Sequence, residues 1–213
     1  MGFNINVVIN ILGVSAMVAG IIFIMIQSRR HRKKQEEVHR EFLEAEDAAN
    51  AVRKKEIEPD LFFIADLSGL PAVPEGDPHN VERAAARQMI YFRTPISNLE
   101  LKREYGPAQM DVIAQYEENF NDYLKCLTNW ATDIAETRNP QDVSDSLLIL
   151  GYTIAHGTEL RNAYKLAADL YAEARDFATL EALMDTADRH HFRDPAVKRH
   201  IVEYIGVKLE EIK

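Results

Sequence analysis

Asp188, His190, His191 and Asp194 fall within seven residues, with His200 shortly after them. These side-chain types ligate zinc and other divalent ions. Adjacent residues point in different directions from a helix, so His190 and His191 are poorly placed to hold one ion together. Histidines at a helix carboxyl end also suit the dipole and the unpaired carbonyls there. Glu36 and His39 have the Glu-x-x-His spacing of carboxylate-bridged di-iron bundles. Those sites need two such motifs and further glutamates, and this chain offers one. Cys126, the only cysteine, sits at an apolar helical spacing and is expected in the core. Glu117-Glu118 and Glu210-Glu211 read as solvated helix faces, not acid/base pairs. There is no glycine-rich phosphate loop, no GxSxG and no CxxC. The expectation is a chain that is not an enzyme, with no catalytic residue, no cofactor and no metal.

The strongest positional signal lies at the amino terminus. Val7 to Ile26 is an uncharged run of 20 residues in which Asn10 and Ser15 are the only strongly polar side chains. As a helix it would be roughly 30 Å long, the thickness of a bilayer's hydrocarbon core. A cleaved signal peptide would want basic residues first and a shorter apolar stretch. Here the bases follow: Arg29, Arg30, Arg32, Lys33 and Lys34. They form a topology signal that places the amino terminus outside and the rest in the cytoplasm, with the plasma (inner) membrane as the expected location. The same cluster would attract anionic membrane lipid. Gly13, Ala16 and Gly20 put small residues on the span, a spacing that permits close helix–helix contact and homo-oligomer formation in a membrane.

After that cluster the balance is strongly acidic. The whole chain has 25 Lys and Arg against 34 Asp and Glu, and no acid precedes Glu36. An acidic body argues against nucleic acid as a partner, since phosphate binding needs a basic surface. A single cysteine permits no internal disulfide, in keeping with a reducing compartment.

These features divide the chain into a short extracytoplasmic segment (1–6), a transmembrane helix (7–26), a basic cluster with a charged juxtamembrane helix (27–58), a Pro-rich extended segment (59–79) and a helical domain (80–213). In the juxtamembrane helix Val38, Phe42, Ala45, Ala49 and Val52 make a narrow heptad-like stripe, fit either for a coiled coil or for a solvated spacer. Pro59 ends that helix. Four prolines within 20 residues, Pro59 to Pro78, exclude regular helix next. The apolar Phe62–Leu67 stretch in that segment is expected either to pack on the domain or to act as a docking motif.

From Asn80 onward the pattern is helical. Asn80 can cap a helix running to about Phe92, and Thr94-Pro95 can start one that stops at Gly106. Pro107 opens a long helix whose stripe includes Ile113, Phe120, Leu124, Leu127, Trp130 and Ile134. Asp142 or Ser144 can cap the next helix, and three more are expected over 158–175, 177–190 and 195–212. No stretch reads as a paired β-strand. The fold class expected is all-α, with antiparallel helical hairpins stacked after the membrane anchor.

Tyr164, Ala167, Ala168, Tyr171, Leu180, Met184 and Ala187 follow the spacing of the tetratricopeptide pattern. A second register begins at Leu147 with Leu150, Gly151, Ile154, Ala163 and Ala167, half a period away. Over residues 147–190 the chain resembles a degenerate tetratricopeptide repeat. Upstream, Asp133 and Thr137 break the register that would start at Trp130. The resemblance implies stacked hairpins that hold a partner protein in a groove, but with no peptide-clamp signature it assigns no binding residue. If there is a groove, the exposed helix faces near Tyr152, Tyr164 and Tyr171 are the candidates, with core packing the alternative for all three. The function expected is a membrane-tethered cytoplasmic adaptor or scaffold. The alternative is a structural subunit of a larger membrane or secretion complex, assembled through the span and juxtamembrane helix.

Overall fold

The computed structural model describes Gln27 and residues 34–213. The proposed span, its small residues Gly13, Ala16 and Gly20, and the bases Arg29, Arg30, Arg32 and Lys33 lie outside the described residues. Lys34 is exposed. Among the described residues no helix is long and apolar enough to cross a membrane. The chain divides into two compact units, Met1–Val52 and Arg53–Lys213.

In the first unit a helix covers residues 34–50 (α1). Arg40 and Glu44 form an i,i+4 pair at 3.8 Å, with both side chains in solvent. Val38, Phe42 and Leu43 are about half exposed, at 57%, 52% and 48%. The helix stops before Pro59, the expected end. One cause lies in the second unit, where the main chain at 55 is already engaged. The Lys55 N–H donates to the Tyr105 carbonyl at 3.1 Å, and its carbonyl accepts from Gln109 Nε2 at 2.9 Å.

The second unit is mostly helical: α2 (Val81–Ala85), α3 (Asn98–Tyr105), α4 (Met110–Glu136), α5 (Pro140–Ala155), α6 (Arg161–Glu173), α7 (Phe177–Arg189) and α8 (Pro195–Glu211). It also contains a pair of two-residue strands that sequence periodicity did not predict. β1 (Phe62–Phe63) pairs antiparallel with β2 (Met89–Ile90), Phe62 opposite Ile90 and Phe63 opposite Met89. Successive strand residues face opposite ways. Phe63 and Met89 join the main core, while Phe62 and Ile90 join a second cluster with Leu101, Tyr105 and Ile113. The Phe62–Leu67 stretch is therefore mainly packing material, though Ile64 stands 86% exposed.

This pairing explains why the expected 80–92 helix ends at Ala85. In a continued helix residues 89–90 would lie in the third turn; paired as β2 they bridge the two clusters instead. The cap is different too. Asn80 is left-handed (φ 58) and its side chain caps nothing. Asp77 does the work: its Oδ1 accepts from the Val81 N–H at 2.6 Å and its Oδ2 from the Glu82 N–H at 3.0 Å. Likewise α3 starts on Ser97 and not on Thr94. Ser97 and Glu100 form a full capping box, each side chain accepting from the other's backbone N–H. Asn139, directly before Pro140, caps α5 in place of Asp142 or Ser144.

Helices α4 and α5 form the centre. The Ser146 hydroxyl donates to the Ala131 carbonyl at 2.8 Å, and the Tyr123 hydroxyl to that of Tyr152 at 3.3 Å. The partner numbers rise on one helix as they fall on the other, so the two run antiparallel. Helices α6 and α8 run parallel instead: Lys165 lies over the Tyr204 ring at 4.5 Å, and Lys208 reaches Asp169 at 3.3 Å, with a constant offset. Helix α7 packs on both. Ala163, Ala167, Ala168 and Ala187 are fully buried among these helices, where small side chains let backbones approach.

Candidate functional site

Four separate segments converge on one polar cleft of about 260 Å³. They are the chain leaving β2 (Tyr91, Phe92, Arg93), the middle of α4 (Glu117, Phe120, Asn121), the α5–α6 turn (Gly157, Glu159) and the α7–α8 turn (His190, His191, Arg193). A second cleft shares Tyr91, Gly157 and His190 with it and adds Arg189.

Each wall follows from local sequence. Helix α5 ends in a Schellman motif: the Gly157 N–H donates to the Ile154 carbonyl and the Thr158 N–H to the Thr153 carbonyl. That motif needs a left-handed residue, and Gly157 has φ +77. A side chain there would also strike the Tyr91 hydroxyl and crowd His190 Cε1. Helix α7 closes at Arg189, and His190 turns to extended backbone. Phe192 then plugs inward, 4.6 Å from the His190 ring and 5.8 Å from the Tyr164 ring. Asp194 accepts from the Ala196 N–H at 2.8 Å and starts α8.

The charges are partly spoken for. Arg193 pairs with Glu117, and its backbone N–H donates to Glu159 Oε1 at 3.0 Å. Tyr91 stacks on Phe120 with centroids 4.8 Å apart, and burial pushes its hydroxyl pKa up. Burial pulls the His190 pKa down, against the pull of Glu159. Among the described residues His190 Nε2 and the Tyr164 hydroxyl are buried and find no hydrogen-bond partner. The cleft's lining contains no serine, threonine, cysteine or lysine. Its equipment suits binding: aromatic walls, guanidinium groups and a neutral imidazole.

The acid–histidine cluster of residues 188–200 does not converge. Asp188 pairs with Lys198 at 3.3 Å, Asp194 caps a helix, and His200 lies 3.8 Å from Glu203. Only His190 and His191 of that cluster reach the cleft. Among the described residues no three His, Cys, Asp or Glu groups come together in metal-binding geometry. Cys126 is half-buried, and burial raises its thiol pKa, the opposite of what an activated nucleophile needs.

No family model, curated protein or solved structure matches this chain.

The three tyrosines expected near a groove separate. Tyr164 is interior, 1% exposed, because its ring sits on the α6 face that packs on the core. Tyr164 is thus a core residue and does not line an exposed groove. Tyr171 is half-buried, and burial raises its pKa. Tyr152 lines a groove. This groove of about 460 Å³ lies between the Asp66–Leu70 segment and the outer face of α5, with Leu147, Leu148, Gly151 and Ala155. Leu148 is 51% exposed there. Gly151 has nothing within 4 Å of where a Cβ would stand. It is an opening in a surface, not the close helix crossing that the second repeat register implies. By sequence Leu148 belongs to the apolar side of α5 with Leu147, Leu150, Gly151 and Ile154, and only the structure shows that it is exposed.

Proposed function

We propose that this protein is a membrane-tethered helical adaptor whose body holds an apolar segment of a partner protein. The observation that carries the reading is the groove beside α5. Its walls are predominantly apolar, Leu148 projects into solvent, and Gly151 leaves its floor open. Exposed apolar surface of this kind, rimmed by polar residues, marks interaction sites. The parallel α6 and α8 with α7 between them support tetratricopeptide-like stacking of hairpins, an architecture that presents helix faces to partners. The uncharged run at 7–26 and the bases from Arg29 to Lys34 support a single-pass anchor with the amino terminus outside and the body in the cytoplasm, at the plasma membrane. Tethering then raises the local concentration of whatever the groove holds, without any catalytic step.

The test is affinity capture of membrane-extracted full-length protein, comparing the natural chain with Leu148→Asp. Proteins retained by the first and lost by the second support the reading. The same set retained by both overturns the groove as the docking surface. A chain lacking residues 1–34 that still reached the membrane normally would overturn the tether.

A second reading is a structural subunit of a larger membrane or secretion complex. It is favoured by α1, where Val38, Phe42 and Leu43 are about half exposed. Partners kept by a chain truncated after Glu58 would favour it over the adaptor.

A further inference from the structure

The polar cleft stands apart from the α5 groove, and its charge is unlike that of the body around it. Residues 53–213 hold 19 Lys and Arg against 28 Asp and Glu. At the joined clefts the balance reverses: Arg93, Arg189 and Arg193 face Glu117 and Glu159, with His190 and His191 beside them. Glu117 and the Arg193 guanidinium neutralise one another, and Glu159 keeps its charge while accepting the Arg193 backbone N–H, so Arg93 and Arg189 stand against one remaining carboxylate. Arg189 is held by its own helix, its Nε donating to the Asp185 carbonyl at 3.2 Å. Among the described residues Arg93 makes no such contact. It is exposed, it lies on the chain leaving β2, and it points charge at a cavity walled by Tyr91, Phe92 and Phe120.

We propose that this cleft binds a small organic anion, with its carboxylate or phosphate against Arg93 and its apolar part along the aromatic wall. A guanidinium is suited to both groups, since its planar fork matches either in a two-point contact. Gly157 is what keeps the floor open. Any side chain at that position would push into the Tyr91 hydroxyl. The buried, unpartnered Nε2 of His190 marks the same floor as a place where polar groups lack a protein partner.

The experiment uses the full-length chain in neutral-detergent micelles and amide resonances read by transverse-relaxation-optimised NMR. Benzoate and phenyl phosphate are the two anionic probes, benzyl alcohol is the uncharged control, and chloride holds the ionic strength constant. At about 20 mM probe, a millimolar site is filled. Expected are saturable shifts of the Tyr91, Gly157 and Arg193 amides with at least one anion. Arg93→Gln weakens that binding about tenfold, as loss of a charge-assisted hydrogen bond requires. Arg138→Gln, at the distant α4–α5 turn, leaves it unchanged. Saturation by phenyl phosphate alone assigns a phosphoryl ligand, and by benzoate alone a carboxylate; either supports the proposal. Equal shifts with benzyl alcohol, no shifts with any probe, or binding unaffected by Arg93→Gln overturns it.

Discussion

Three glycines make opposite predictions from one structural fact, the space around a Cβ that they lack. Gly151 lies inside α5 and Gly206 inside α8, both with nothing within 4 Å of the Cβ position. Gly157 has φ +77, and its Cβ would meet the Tyr91 hydroxyl and His190. Alanine in a helix interior is favoured over glycine by about 0.5–1 kcal/mol, because glycine loses more backbone freedom on folding. Gly151→Ala and Gly206→Ala should therefore each stabilise by that amount. For a chain of this size that raises the melting temperature by about 1–4 °C per substitution. The two positions share no neighbours, so the double variant should show the sum. Gly157→Ala should lower stability by about 1–3 kcal/mol, since a non-glycine residue in left-handed backbone carries that cost before Tyr91 has moved. The assay is thermal unfolding of the full chain followed by circular dichroism. A fall in melting temperature for Gly151→Ala would refute the reasoning, because it would mean the groove floor is already filled in the folded chain. A neutral Gly157→Ala would show that the α5–α6 turn can relax, and that the cleft's floor is not fixed by glycine.

Asp77→Ala should cost about 1 kcal/mol through loss of the α2 cap, whereas Asn80→Gly should stay within a few tenths, since Asn80 supplies only its left-handed conformation; the same thermal melts distinguish them. Partial burial holds the His190 pKa below its ordinary 6.5. The unfolded chain therefore takes up the proton first as pH falls through that value. Stability is unaffected above it and declines below it. His190→Gln should show a smaller loss of melting temperature between pH about 7 and pH about 5 than the natural chain. Cys126, its thiol pKa raised by burial, should react with iodoacetamide more slowly than a free cysteine at pH about 8, as mass spectrometry of the alkylated chain would measure.

The long helices were legible because their sequence signals agree with one another. Helix α4 carries an unbroken 3.6-residue apolar stripe, and Ile113, Phe120, Leu124, Leu127 and Trp130 from it are all buried. Helix α8 opens on Asp-Pro, and the structure uses Asp194 as its cap. Errors arose where two local signals competed or where the deciding partner was remote. Thr94-Pro95 and the Ser97/Glu100 box lie three residues apart, and the reciprocal box is the one used. Met89–Ile90 is helical by local pattern, and its strand pairing with Phe62–Phe63 is set by a segment 27 residues away. Tyr164 shows a further limit. A tyrosine at helical spacing fits a groove and a core equally well, and only packing by Phe192 and the neighbouring helices decides.

The stretch in which local rules failed is also the stretch that builds the polar cleft. Between Ala86 and Ser97 the chain abandons helix, pairs briefly as β2, and then carries Tyr91, Phe92, Arg93 and Pro95 past the ends of α5 and α7. Left to its own preferences, this segment would have continued α2 and turned those side chains around a helix. Held instead by Phe62 and Phe63, it lays Tyr91 against Phe120 and leaves Arg93 at the mouth of the cavity. Sequences are locally consistent where only stability is at stake, and departures tend to fall where something else is being positioned. The coincidence makes a sharp demand of β1. Phe63→Ala removes the ring that packs on Phe120 at 4.9 Å, and truncations of this kind cost about 3–5 kcal/mol when the site cannot collapse. Phe63 is only partly buried and should cost less, about 1–3 kcal/mol. Beyond that loss it should release residues 89–93, which amide hydrogen exchange of Ile90 and Tyr91 would register as accelerated opening while α4 and α5 stay protected. If exchange at those two residues rose no more than in the helices, β1 would be a passenger on the core, and the cleft wall would have to be held by the Tyr91–Phe120 stack and the Tyr91 N–H bond to the Leu61 carbonyl.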